Sequence, residues 1–457
     1  EELAFLGARV AGRFLDVTYA DLEAAPFVLL VGFEPEEESP IVFLRLRKAA
    51  FKKGTRVVAI APLATHGLNK MQGRLLATLP GGEAAALHAL VAGKRPHAPA
   101  GVDADAHAAV FADTGSMLSQ AGAVVLVGER LAGVPGGFSA VAELADATGA
   151  RVAWIPRRAG ERGALEAGAA PSLLPGGRPI ADSDARGQVA LRWATSIPAK
   201  AGRDTTAILR AAAAGSLGAL VVGGVDPDDL PDPQLARAAL EAAPFVVSLE
   251  LRPTAVTAYA DVVFPVAAAA EKGGTYLDWE GRSRPFDASL KDTGQLLDLE
   301  VLHAIADALD VHLGLPDLAT ARFELDALAG YVGSASSPPA KRTAASALAK
   351  PGPNEALLAT WHELLDAGSL QDRTPYLAAT AKPVRAHLSP ATASALNLVE
   401  GDLVTVRTDH GAITVPVFIA VMTDSVVWVP TRSTGSEVYR TLGVGEGAVV
   451  RLEGSAR

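Results

Sequence analysis

The chain reads as an α/β protein of doubly wound parallel-sheet domains followed by a small C-terminal β-barrel, and three observations predict this. Short apolar runs rich in β-branched residues recur at 27–32, 56–62, 123–128, 152–156, 219–224, 245–251 and 261–266, each bounded by Gly or Pro. Unbroken apolar runs of that length suit parallel strands covered on both faces. Between many of them lie stretches with helical spacing, at 40–53, 82–93, 138–149 and 233–243, and alternating strand and helix builds open sheets with right-handed crossovers. Past residue 353 the texture changes to alternating strands around the turn Asp409-His410-Gly411, at 402–408, 412–421 and 424–430, which suits a barrel.

A length of 457 residues, 49% of them hydrophobic and 20% charged, accommodates two to four cores. We divide the chain into a first α/β domain at 1–112, a second at 113–331, a linker at 332–375 and a barrel at 376–457. The linker rests on 333–353, a run of Ser, Ala, Pro, Gly and Lys without a sustained apolar period.

The richest apolar segment, 208–225, is interrupted by Arg210 and several glycines, so no stretch reaches the roughly 18 to 20 apolar residues of a bilayer span and a soluble protein without a direct membrane span is expected. A net charge of −10 argues against nucleic acid, which is gripped by clustered cations. The basic cluster Arg45, Arg47, Lys48, Lys52 and Lys53 falls on a predicted helix and reads as a solvated or subunit-facing face. With no cysteine in the chain, disulfides, thiolate nucleophiles, thiolate zinc sites and all-cysteine iron–sulfur clusters are excluded on this stretch. The start at Glu1-Glu2, with no signal peptide, suggests part of a longer polypeptide.

Open α/β sheets bind ligands beyond the carboxyl ends of their strands. The loops there carry Gly32-Phe33-Glu34-Pro35, Pro62-Leu63-Ala64-Thr65-His66, Gly223-Gly224-Val225-Asp226-Pro227 and Glu271-Lys272-Gly273-Gly274-Thr275. The cleft candidates are therefore Gly32, His66, Gly223, Gly224, Asp226, Lys272, Gly273 and Thr275. Against them stands the plainer reading that glycine ends a strand where positive φ is needed.

Nucleotide sites are rejected. There is no G-x-G-x-x-G after the first strand, and the second ends in Ala61-Pro62 without a ribose-binding acid. Gly128-Glu129-Arg130-Leu131-Ala132-Gly133 imitates a P-loop, but Val134-Pro135 stands where Lys-Ser/Thr is required. The acidic loop 226–232 lacks the spacing of a calcium loop and reads as solvated. No two histidines lie three to five residues apart, and Glu300 with His303 offers two ligands at most. No metal ligands and no catalytic acid and base pair are nominated, and no Gly-x-Ser-x-Gly elbow is present.

Taken together and in order, the segments resemble the molybdopterin oxidoreductase superfamily. The carriers are 27–35 with Pro40 and the helix Arg45-Leu46-Arg47-Lys48-Ala49, the strand 54–60, Pro80-Gly81-Gly82-Glu83, and Gly223-Gly224-Val225-Asp226-Pro227. The most specific is Ala260-Asp261-Val262-Val263-Phe264-Pro265-Val266, leading through Glu271-Lys272-Gly273-Gly274-Thr275 to Glu280-Gly281-Arg282, with Leu277-Asp278-Trp279 where the family usually places Asn. Leu388-Ser389-Pro390, Glu400-Gly401-Asp402 and Asp409-His410-Gly411 look like that family's dinucleotide-binding barrel, of the double-psi type.

Within the superfamily the chain most resembles the branch formed by the large peripheral subunit of bacterial NADH-quinone oxidoreductases, the respiratory complex I. That resemblance implies a structural peripheral-arm subunit supporting electron transfer from NADH to quinone. It implies iron–sulfur clusters on a missing N-terminal portion and FMN on a partner, the NADH-binding flavoprotein subunit, among other peripheral-arm subunits. The implied place is the cytoplasmic side of the bacterial plasma membrane. Members binding a guanine dinucleotide cofactor tend to carry Asp and Arg after the second strand, where Ala61 and Leu63 stand here. The resemblance so altered implies a vestigial cleft and no cofactor on this chain. The alternatives are a catalytic relative of formate dehydrogenases, with cofactor between Gly224, Lys272 and the barrel, and a free-standing binding module.

Overall fold

The first sheet begins with β1 (Phe27–Val31), buried at every position, and continues with β2 (Arg56–Ala61), β3 (Arg74–Ala77), β4 (Val124–Gly128) and β5 (Arg151–Ile155) in the computed structural model. The structure describes residues 1–331, 344–345 and 347–455. All pairs are parallel, in the order β3-β2-β1-β4-β5. The helix Pro40–Lys53 between β1 and β2 starts with Pro at its first turn, ends on Gly54 in the left-handed region at φ 74° and buries Val42, Phe43, Leu46, Ala49 and Ala50. That spacing turns one apolar stripe inward, and the basic residues stay outside, where Arg45 and Lys48 grip Glu23 at 2.5 and 2.8 Å.

Strand order reverses between β1 and β4, because β2 and β3 build outward on one side of β1 and β4 and β5 on the other. The sheet thus draws on both sides of the expected 112/113 boundary, which falls inside the helix Ala104–Leu118. By contacts the chain forms two units, one of residues 1–5, 15–157 and the barrel region, the other of 6–14 and 158–331.

The second unit carries the parallel sheet β6 (Leu220–Gly223), β7 (Val246–Glu250) and β8 (Val262–Pro265), ordered β8-β7-β6. The hairpin β9 (Gly274–Leu277) and β10 (Ser283–Phe286) follows, with Tyr276 and Phe286 stacked at 5.1 Å. Its N-terminal segment is held by a buried ion pair: Arg162 reaches Glu166 at 2.7 Å and donates to the carbonyls of Val10 and Arg13. Glu166 in turn accepts from the amide of Gly12 at 2.9 Å.

The barrel closes through β11 (Glu355–Ala359), β12 (Ala386–Leu388), β13 (Leu403–Arg407), β14 (Ala412–Ile419), β15 (Val426–Trp428) and β16 (Val449–Ser455), in the order β11-β15-β12-β14-β13-β16. Alternating inward residues, among them Val404, Val406, Val415, Val417 and Val450, fill it. β11 lies within the stretch read as linker, of which 332–343 and 346 fall outside the described residues. No helix among the described residues is long and apolar enough to cross a membrane.

Candidate functional site

A doubly wound sheet offers its ligand crevice where the strand order reverses, here between β1 and β4. β1 runs into Gly32, whose φ of 57° turns the chain out of the sheet, a conformation costly for residues with a Cβ. β4 ends at Gly128, where an added Cβ would lie 2.3 Å from the Gly32 carbonyl oxygen. The two strand ends therefore touch backbone to backbone. The turn Glu129–Gly133 then places fully buried Leu131 over the junction; a Cβ on Gly32 would meet its amide at 3.0 Å and its own Cβ at 3.2 Å. Phe33, 5% exposed, covers the same end.

Around this packed junction lies a charge cluster. The short helix Pro35–Glu38 follows β1, and Glu38 accepts from the amide of Glu34 at 2.5 Å. Arg130 brings its Nε within 3.2 Å of Glu38 and its Nη1 within 3.7 Å of Glu446 from the barrel, with its guanidinium 5.0 Å from the ring centre of Trp361. Glu83, at the start of the helix Glu83–Ala92, is 3% exposed. Burial disfavours the guanidinium charge, but Glu38 and Glu446 outweigh it and hold Arg130 above its usual range.

The carboxyls move the other way. Burial, against help from Thr65 and the Glu36 amide, pushes Glu34 up to about 7. Burial followed by repulsion from Glu446 pushes Glu83 up to about 8. Glu38 and Glu446 are raised, again chiefly by burial.

The remaining acids of this helix also face protein groups. Lys70 reaches Glu36 at 2.5 Å, and Glu37 binds Lys382 and accepts from the amide of Leu364 at 3.0 Å. Behind them Arg157 joins Glu129 at 2.8 Å and Asp366 at 3.7 Å. Leu63, after β2, is buried with Trp361, Met422 and Trp428 and forms a bridge with Met422.

Of the residues expected to line a cleft, Gly32 and His66 belong to this unit. Gly32 is at the junction; His66 begins the helix His66–Lys70, with its side chain 74% exposed and its Nδ1 3.6 Å from Glu36, while Thr65 caps that helix. Gly223, Gly224, Asp226, Lys272, Gly273 and Thr275 belong to the second unit. There Asp226 accepts from the Asp228 amide at 3.0 Å, Lys272 pairs with Asp298 at 2.6 Å and Arg322 donates to Thr275 at 3.2 Å. In the acidic loop, Asp228 meets Arg237 at 2.7 Å and Asp232 caps the helix Pro233–Ala242. Glu300 accepts from the Leu297 amide, and His303 faces Asp307 at 3.3 Å.

Sequence reasoning missed Glu38, Glu83, Arg130 and Glu446 as a group. Arg130 sat in the segment dismissed as a failed P-loop, and Glu83 in Pro80-Gly81-Gly82-Glu83. Nothing in Gly445-Glu446-Gly447 marks Glu446 as buried.

Residues 3–307 match the molybdopterin oxidoreductase family, and 362–452 match the Molydopterin dinucleotide binding domain. The chain belongs to the molybdopterin oxidoreductase family. This family member is 53% identical over 99% of its length to the G subunit of NADH-quinone oxidoreductase from Mycobacterium bovis and 50% identical over 99% to that of Streptomyces coelicolor. It spans 54% of the length of each of these relatives. Among solved structures, acetylene hydratase from Pelobacter acetylenicus superposes with a TM-score of 0.52 at 14% identity, over 94% of this chain and 73% of that one. That likeness is one of fold.

Proposed function

We propose that this chain is the scaffold portion of a peripheral-arm subunit of a proton-translocating NADH-quinone oxidoreductase, bracing a cluster-bearing portion through which electrons pass toward quinone. The observation that carries this is the 50 to 53% identity, over 99% of the chain, to a NADH-quinone oxidoreductase subunit in two bacteria. Because the chain spans 54% of those relatives, the iron–sulfur clusters are assigned to the remaining portion and FMN to a partner, the NADH-binding flavoprotein subunit. Its place is the cytoplasmic face of the bacterial plasma membrane.

The residues present do not fit a molybdopterin cofactor at the β1/β4 junction. Leu131 fills the crevice, the strand ends meet at Gly32 and Gly128, and Leu63 packs against barrel residues. The remaining cleft candidates, Gly223, Gly224, Asp226, Lys272, Gly273 and Thr275, are read as inherited turns and pairings without a cofactor.

Affinity purification of the full-length subunit from its native membranes tests the role. Co-elution with NADH-quinone oxidoreductase activity and iron–sulfur clusters is expected. Elution as a lone protein, with that activity left behind, would refute the assignment.

A further inference from the structure

We propose that Glu83 and Glu446, together with Arg130 and Glu38, form a buried proton-binding site that keeps one exchangeable proton on the Glu83–Glu446 pair at neutral pH. The geometry is a charge imbalance. Arg130 directs its contacts to Glu38 at 3.2 Å and Glu446 at 3.7 Å, and Glu83 acts on it only through space. Among the described residues, Glu83, 3% exposed, keeps its Oε2 buried with no hydrogen-bond partner, and the Oε1 of Glu446 is likewise buried and unpartnered. The loops that carry these two acids lie against each other: a Cβ on Gly447 would lie 3.3 Å from the Pro80 carbonyl oxygen.

A buried carboxylate with an unmet oxygen is costly, and a proton is the smallest ligand that removes the charge and supplies a donor. Other titratable groups of the described residues face the cluster. They are Glu34 from the segment after β1, Glu129 beside Arg130, Arg157 after β5, which is joined to Glu129 and Asp366, and the barrel's Tyr439, whose phenol burial pushes up to about 12. Among these only Arg157 is cationic, and it reaches Glu129 at 2.8 Å and Asp366 at 3.7 Å. Repulsion between Glu83 and Glu446 raises the former further, as expected of two acids holding one proton.

The sign follows from the folded chain binding this proton more tightly than the unfolded one. Stability from protonation is complete below the unfolded glutamate value of about 4.3 and is lost as pH rises through the folded value near 8.

The test is thermal melting of the full-length subunit from pH 5 to 9, wild type against Glu83→Gln, with infrared titration of carboxyl bands. Glu83→Gln carries its donor permanently. Its Tm is expected to match wild type at pH 5 and to exceed it by about 2 °C or more at pH 9, and a protonated-carboxyl band of the wild type at pH 7 is expected to vanish in the variant. Parallel Tm curves, or a pH 7 band unchanged in Glu83→Gln, would overturn the proposal. Should that variant not fold, Glu446→Gln takes its place, and a wild type without any protonated-carboxyl band at pH 7 would overturn it without a variant.

Discussion

Arg130 holds its guanidinium 5.0 Å from the ring centre of Trp361 while its Nε reaches Glu38 at 3.2 Å. One side chain from the end of β4 thus ties the α/β sheet's carboxyl edge to the barrel, and in that position it is the cation for several buried acids.

Removing that cation is expected to be expensive. Arg130→Met keeps the aliphatic bulk but leaves Glu38 and Glu446 uncompensated, and breaking a buried pair this way costs about 3–5 kcal/mol. Arg130→Lys retains the charge without the guanidinium's contact over the Trp361 ring and should fall between. Urea midpoints at pH 7 measure both, and the Met penalty should shrink at pH 5 as the acids become protonated.

The strand-end junction makes a second prediction. Gly128→Ala drives a methyl to 2.3 Å from the Gly32 carbonyl oxygen, and that neighbour is backbone, which cannot rotate away. Overpacking typically costs about 1–3 kcal/mol, so this variant should lie at or above that range. Gly133→Ala, where nothing lies within 4 Å, should be near neutral by the same thermal melts.

His387 gives the acid limb. It sits between Trp428 at 4.5 Å and Phe418 at 4.8 Å, and burial, followed by Arg385 and Lys382, holds its imidazole down at about 4. The unfolded value is about 6.5, so as pH falls the unfolded chain takes up the proton first. The neutral ring's contribution is complete above pH 6.5 and is lost as pH falls through 4, at most about 3 kcal/mol. His387→Phe should flatten the stability profile between those values.

Much of this architecture was legible because parallel strands buried on both faces leave continuous apolar runs: residues 27–32 and 123–128 announce β1 and β4 directly. β3 was not, since Arg74-Leu75-Leu76-Ala77 is four residues of mixed character whose strand identity comes from pairing with Val58 to Ala61. The helix Ala104–Leu118 was missed although its buried residues, His107, Val110, Phe111, Thr114, Met117 and Leu118, recur at helical spacing. Topology was hidden as well: composition does not reveal that the fourth strand returns to pair with the first, Val28 opposite Val124.

The candidate site was less legible still. Glycines at 32 and 128 could be seen, but the residue that fills the space between their strands, Leu131, carries no signature. Glu83 and Glu446 are more than 300 residues apart in sequence, and only the closure of the barrel region onto the sheet edge makes them neighbours. Their burial is a property of the tertiary fold, invisible to spacing.

The most direct test of a closed, cofactor-free crevice is the molybdenum and pterin content of the purified full-length subunit in its respiratory complex, by elemental analysis and by oxidative release of fluorescent pterin. A crevice filled by Leu131 predicts molybdenum far below one atom per chain and no released pterin. Stoichiometric molybdenum with its pterin would contradict it.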